Sequence, residues 1–345
     1  MIGPHRDPMR RRGPAAAVAA VAVVLACCPC GAADTGPDEA PPTDERVQVR
    51  DDNGADAFEL YRLPAGYRLA DGSFSEAAIV AHQKGRLGRI NEGLSLRLRT
   101  SETPHFLVFS DADTKVTSRF VKWSEALYDS LRERFGIPKR QRIWHGKCIV
   151  LVFRGRAEFN GYARTFDRHD AGRAGAYFAV EGHGPDGPHL VHMAFPLDQR
   201  DDRRLQELLA HEGTHAFFEV YRKPGRLPLW LHEGLAEYMT TVNDRALRGA
   251  KWPAAERAAK SRASLRGLFA REAGETLSLG EYAAAFTLVD LLLDAGRDRF
   301  RLFIDGLKDG QPQDAALRAT YGFDLRELER RWHDYVAAAA PRKGK

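Results

Sequence analysis

The chain has 345 residues, enough for one large domain or two small ones, and with 43% apolar residues and 10% aromatics a sizeable core is within its reach. Its formal net charge is +5, but Arg6, Arg10, Arg11 and Arg12 against Asp7 place +3 of that in residues 1–33. The remainder, near +2 and interspersed in sign, is too weak to argue for nucleic acid, and no nucleic-acid partner is expected.

The N-terminus reads as a targeting segment. Arg10-Arg11-Arg12 precede an apolar run of small residues, Ala15 to Ala26, too short to span a membrane. Two processing routes compete. Val24-Leu25-Ala26-Cys27 is similar to a bacterial lipobox, whose Cys27 would be acylated and retained as a lipid anchor; cleavage after Ala32 or Ala33 would release a soluble form. Either route exports the protein to a periplasmic or extracellular space, and a membrane enters only through that anchor. Cys27, Cys28 and Cys30 lie in this segment, so Cys148 alone remains for the folded part and no disulfide framework is expected. Cys148 sits in an apolar run and reads as a small buried hydrophobe.

Residues 34–56 are rich in Asp, Glu, Pro and Gly and read as a disordered linker. Residues 57–103 form an N-terminal extension of uncertain structure. There Phe58 to Leu69 suggests a strand pair, Ser75 to Gln83 a short helix, and Leu94 to Leu98 a strand. From 104 the pattern clears. His105 to Phe109 is a strand. Val116, Phe120, Trp123, Leu127 and Leu131 mark a helix that stops at Gly136 and Pro138. Cys148 to Phe153 is a buried strand. Gly175 to Val180 and His189 to Phe195 flank a glycine-rich turn and read as a hairpin. His189 and His192 fall on opposite faces of their strand and read as structural or solvated rather than as ligands.

The chemistry is concentrated in 205–240. His211-Glu212-Gly213-Thr214-His215 is H-E-x-x-H, which on a helix places both imidazoles on one face, where they can share a Zn²⁺ ion. Glu212 is turned about 100° from His211 around the helix, beside the metal, where a general base is needed. A second helix over 229–241, with Pro228 in its first turn, carries Glu233 and, one turn on, Glu237. The 17 residues between His215 and Glu233 suffice to turn at Lys223-Pro224-Gly225 and return antiparallel, so Glu233 is the candidate third ligand.

Residues 254–338 read as helices: Ala255 to Glu272, Glu281 to Leu293, Arg299 to Leu307 and Asp324 to Val336. The expected organisation is a catalytic domain at 104–250 and a helical C-terminal subdomain at 251–338.

H-E-x-x-H followed by Trp230-Leu231-His232-Glu233-Gly234-Leu235-Ala236 resembles the gluzincin metallopeptidases, the thermolysin and zinc-aminopeptidase clan, most strongly over 205–240 and more faintly over about 104–338. The resemblance implies an α+β zincin-like domain with a small mixed sheet, and one Zn²⁺ on His211, His215 and Glu233. It implies that Glu237 holds the first ligand histidine in its tautomer, and that Tyr282, at a helix start, stabilises the oxyanion; Tyr238 competes for that role. It also implies that an edge strand pairs with extended substrate, for which Gly175-Ala176-Tyr177-Phe178 is the candidate. Where many aminopeptidases carry Asn this chain has His232, and its inter-helix loop is slightly shorter than is usual there.

The implied activity is hydrolysis of peptide or protein substrates by metal-activated water, with Glu212 as general base. The sequence points to no carboxylate for a free substrate amine, which favours an endopeptidase. Two alternatives stay open: a zinc-containing scaffold without turnover, against which the intact Glu212 speaks, and a zinc hydrolase of a non-peptide substrate. The sequence leaves substrate and oligomeric state open.

Overall fold

In the computed structural model the described residues are 21–26, 63, 66–183, 187–198, 200–225, 227–261 and 264–339. The linker 34–56 and all of the leader 1–33 except Val21–Ala26 lie outside them. A six-stranded mixed sheet has β1 (Val21–Ala26), β2 (Arg99–Glu102), β3 (Phe106–Ser110), β4 (Cys148–Phe153), β5 (Tyr177–Gly182) and β6 (His189–Pro196) in the order β1-β5-β6-β4-β3-β2. Strands β3, β4 and β6 run parallel; β2 and β5 are antiparallel to their neighbours, and β5 and β6 form the expected hairpin. The edge strand β1 comes from the apolar run read as leader. It pairs antiparallel with β5, Leu25 opposite Phe178 and Ala26 opposite Tyr177.

Alternate residues of the sheet feed two cores, as the two-residue strand period requires. Val108, Val150, Phe178, Met193 and Phe195 face the larger core, which is continuous through the C-terminal helices as far as Trp332 and Val336. Phe109, Leu151, Tyr177, Ala179 and Ala194 face a second core beneath α1 (Glu76–Leu94) and α3 (Arg156–Phe166). In front lie α2 (Thr114–Arg134), α4 (Asp202–Val220), α5 (Leu229–Thr241), α6 (Arg245–Lys260), α7 (Arg266–Ala270), α8 (Leu279–Asp294), α9 (Arg297–Lys308), α10 (Gln313–Tyr321) and α11 (Leu325–Ala339). The fold is α+β, a zincin-like sheet and helix pair with a helical C-terminal part.

Several expected elements change. The helix expected over 75–83 runs on to Leu94, through Gly85 and Gly88, and ends at Ser95 in a left-handed cap with φ of 52°. That cap displaces the strand expected at 94–98 to Arg99–Glu102. The helix expected over 255–272 is two: α6 begins at Arg245, carries Pro253 inside it and closes at Ser261, and α7 follows. Helices α3 and α10 were not foreseen.

Behind the sheet a buried polar network ties the layers together. The Arg86 guanidinium bridges both oxygens of Glu181 at 3.0 and 2.8 Å. Glu181 lies 3.0 Å from Nδ1 of His192, whose Nε2 is 2.8 Å from Asp167, and the Tyr177 hydroxyl donates to the same Asp167 oxygen at 2.6 Å. Burial drives the Glu181 carboxyl up, but the Arg86 charge and the His192 contact prevail and hold it at about 2. Burial pushes His192 down, yet the Asp167 carboxylate, with Glu181, raises it to about 9. His192 is thus a structural imidazolium facing away from the metal motif, as its strand parity required.

Candidate metal centre

Helix α4 is capped by the Asp201 side chain, which accepts from the Arg204 amide at 2.8 Å. From Leu208 onward nearly every residue is buried, because the helix lies between the sheet, α2 and α5. Gly213, inside the motif, permits this: a Cβ there would stand 2.4 Å from Cδ2 of Leu127. At its C-terminus the last carbonyls need donors. Lys308 of α9 supplies them, its ammonium donating to the carbonyls of Phe218 at 2.8 Å and Glu219 at 2.9 Å, and also to that of Gly225 in the turn to α5. One buried cation therefore fixes both the end of the first ligand helix and the loop to the second.

Pro228 is the N-cap of α5 rather than a first-turn residue; its carbonyl accepts from the amides of Leu231 and His232. Trp230 is fully buried, its indole donating to Gln313 of α10 at 2.8 Å. Gly234 lets α8 approach: a Cβ there would lie 2.4 Å from the Ala285 carbonyl oxygen. The W-L-x-E-G stretch is thus a packing solution as well as the carrier of a candidate ligand.

These constraints bring three donors together. Nε2 of His211 and Nε2 of His215 are 3.0 Å apart, and Oε2 of Glu233 lies 3.7 Å from the first and 3.6 Å from the second. Bonds of ~2.0–2.1 Å at tetrahedral angles separate donor atoms by roughly 3.3–3.4 Å. The observed spacings bracket that value, so the residues fit a zinc-sized ion with one position left over. Two nitrogens and a carboxylate oxygen also match the ligand chemistry of zinc. Glu212 is fully buried on the same helix.

Around the donors, Oε1 of Glu237 lies 3.3 Å from Nδ1 of His211, and the other carboxylate oxygen is ion-paired to Lys251 of α6. Burial drives the Glu237 carboxyl up, but the His211 contact and the Lys251 charge outweigh it and hold it at about 2. Lys251 was not foreseen, since nothing in its local pattern marks it. His232, noted in the sequence only as a departure, packs its ring 4.2 Å from that of His215.

The remaining candidates fall in different places. Tyr282 sits half-buried in the first turn of α8, against the larger core, on the stripe that continues through Ala285 to Val289. Tyr238 instead lines a separate cavity of about 430 Å³ with Ser130, Arg134, Asn243 and Arg297. Of the substrate-edge residues, Tyr177 and Phe178 lie within β5; Gly175 and Ala176 precede it, Gly175 close against Leu208 of α4. Tyr177 and Phe178 pair with Ala26 and Leu25 of β1, so β5 is flanked on both sides and is not the edge strand expected from the sequence; the Tyr177 side chain faces the rear network.

Residues 206–338 match the family model of the peptidase MA superfamily, a stretch that begins within α4 and closes near the end of α11. Over that stretch the chain is similar to the superfamily, a match that supports a metallopeptidase-like function. His211, His215, Glu233, Glu237 and Lys251 all fall inside the match. No curated protein matches the chain in sequence.

Proposed function

We propose that this protein is an exported zinc-dependent peptidase, hydrolysing peptide bonds in peptide or protein substrates, with endopeptidase action favoured. The observation that carries the proposal is the mutual spacing of 3.0, 3.7 and 3.6 Å among Nε2 of His211, Nε2 of His215 and Oε2 of Glu233. These three residues would hold the ion. When bound, zinc acidifies a water toward pKa ~7 and polarises the substrate carbonyl.

The chain's own residues do the rest. Glu212 accepts a proton from the attacking water as oxygen adds to the carbonyl carbon, then returns it to the amide nitrogen as the C–N bond breaks. Glu237, braced by Lys251, accepts from Nδ1 of His211 and fixes that ring with Nε2 toward the ion. Tyr282 is the proposed donor to the oxyanion, which a phenol can serve without ionising. Cleavage of the leader by either route would remove β1 from β5, and the edge so freed, entered through Gly175-Ala176-Tyr177, is the proposed rail for extended substrate. Export rests on Arg10-Arg11-Arg12 and the apolar run behind them, with Cys27 as the anchor if the lipobox is used.

The test is Glu212→Gln. Metal analysis should show one zinc in parent and variant alike, while cleavage of a peptide library falls by roughly 10²–10⁴-fold. A variant that cleaves as fast as the parent overturns the assignment of the base. A zinc-loaded parent that cuts no peptide but hydrolyses small esters or amides moves the protein to a non-peptide substrate.

A further inference from the structure

The two ligand imidazoles are held by unlike means. Nδ1 of His211 has the Glu237 carboxylate at 3.3 Å. Nδ1 of His215 is buried and has no hydrogen-bond partner among the described residues. A metal-binding imidazole ordinarily gives its second N–H to an acceptor, and that bond sets the ring's orientation. The torsion that swings an imidazole about its Cβ–Cγ bond is soft, so a ring without the bond needs another restraint.

Two rings supply one. Phe178 of β5 lies with its centroid 5.7 Å from that of His215 and the planes 24° apart. His232 of α5 is closer, at 4.2 Å and 36°. Phe178 and His232 also meet each other at 6.4 Å, so the three rings form one cluster between sheet and helix pair. All three residues are buried. His232 immediately precedes Glu233, so a single turn of α5 offers one ligand and also a wall for another.

We propose that His232 is a positioning residue: packed at a tilt against His215, with Phe178 stacked on the same ring, it fixes the His215 ring with Nε2 toward the donors of His211 and Glu233. This rests on the metal-site reading above and adds to it a residue that acts through packing rather than through its nitrogens.

Two substitutions separate the roles. His232→Leu keeps much of the volume and removes the ring; His232→Phe keeps a ring and removes the nitrogens. Zinc affinity is read by competition with a chromophoric chelator, on apo proteins that melt cooperatively by circular dichroism. The Co²⁺-substituted forms report coordination geometry through their d–d bands. The expected result is zinc binding weakened by about 10–100-fold in His232→Leu, the range for lost ligand-orienting contacts, with altered Co²⁺ bands. His232→Phe should match the parent in both. If His232→Leu does not melt cooperatively, Phe178→Leu is read the same way, with the same loss expected. Parent-like zinc affinity in the ring-deleting variant overturns the inference. So does a His232→Phe variant as impaired as His232→Leu, which would assign the role to a nitrogen. A parent that binds no zinc removes the metal reading itself, before any variant is made.

Discussion

The Glu237 carboxylate joins a cation on one helix to a candidate ligand on another: one oxygen lies 3.3 Å from Nδ1 of His211 and the other is paired to Lys251. Through Lys251, helix α6 therefore reaches the candidate metal centre. Glu237→Gln keeps an acceptor but loses the charge, and zinc affinity should fall by about 10–100-fold in chelator competition. Lys251→Met leaves a buried carboxylate with one partner fewer, and urea denaturation of the apo protein should show a loss of roughly 3 kcal/mol.

Gly234 should tolerate no side chain. A methyl group there meets the Ala285 carbonyl oxygen at 2.4 Å and its carbon at 2.8 Å, so α5 or α8 must shift. Gly234→Ala should cost about 1–3 kcal/mol in denaturant unfolding and weaken zinc binding, because Glu233 moves with its helix. Gly249→Ala is the control. That glycine lies in α6 with nothing near its Cβ position, and the change should be neutral or stabilising by up to about 1 kcal/mol.

The rear network predicts a pH window. Glu181 is held at about 2, below its ordinary value of 4.5, so its contribution is present above about 4.5 and is lost as pH falls toward 2. His192 is raised from 6.5 to about 9, so its contribution is complete below 6.5 and is lost as pH rises through 9. Stability should therefore be flat between roughly pH 4.5 and 6.5 as far as this network decides it, and decline on either side by a few kcal/mol. Thermal melts across pH in the presence of a chelator, which keeps the metal site from contributing, should show the alkaline decline flattened in His192→Phe. A parent curve with no decline between 6.5 and 9 would contradict the charge assigned to His192.

Metal should bind the fold and not the unfolded chain. Free zinc at about 1,000 times the dissociation constant should then raise unfolding free energy by about 4 kcal/mol, seen as a higher melting temperature that a chelator reverses. Glu233→Gln should remove most of that shift.

Where local periodicity carries the information, the sequence was sufficient. His211 and His215 share a face because they are four apart on a helix, and the second helix was bounded correctly at 229–241 by Pro228 and its apolar run. The strand at 148–153 was equally plain, since six consecutive apolar residues leave no other reading in that setting. Helix α1 runs past the expected end at 83 through Gly85 and Gly88, each of which faces open space in the fold and costs only propensity. The single helix expected at 255–272 was broken by a cap at Ser261 that has no strong local marker.

By itself, then, the sequence placed His211 and His215 on one helix face with Glu212 beside them, because a helix repeats every ~3.6 residues; the candidate third donor, Glu233, comes from another helix and meets them only in the packed fold. Only the tertiary structure decided what braces them, Lys251 behind Glu237, His232 and Phe178 against His215 and Lys308 across 90 residues to Phe218, and what ties the sheet from behind, Arg86 across 95 residues to Glu181. Those pairings arise from how helices and sheet pack. No repeat along the chain encodes a contact between residues so far apart in it.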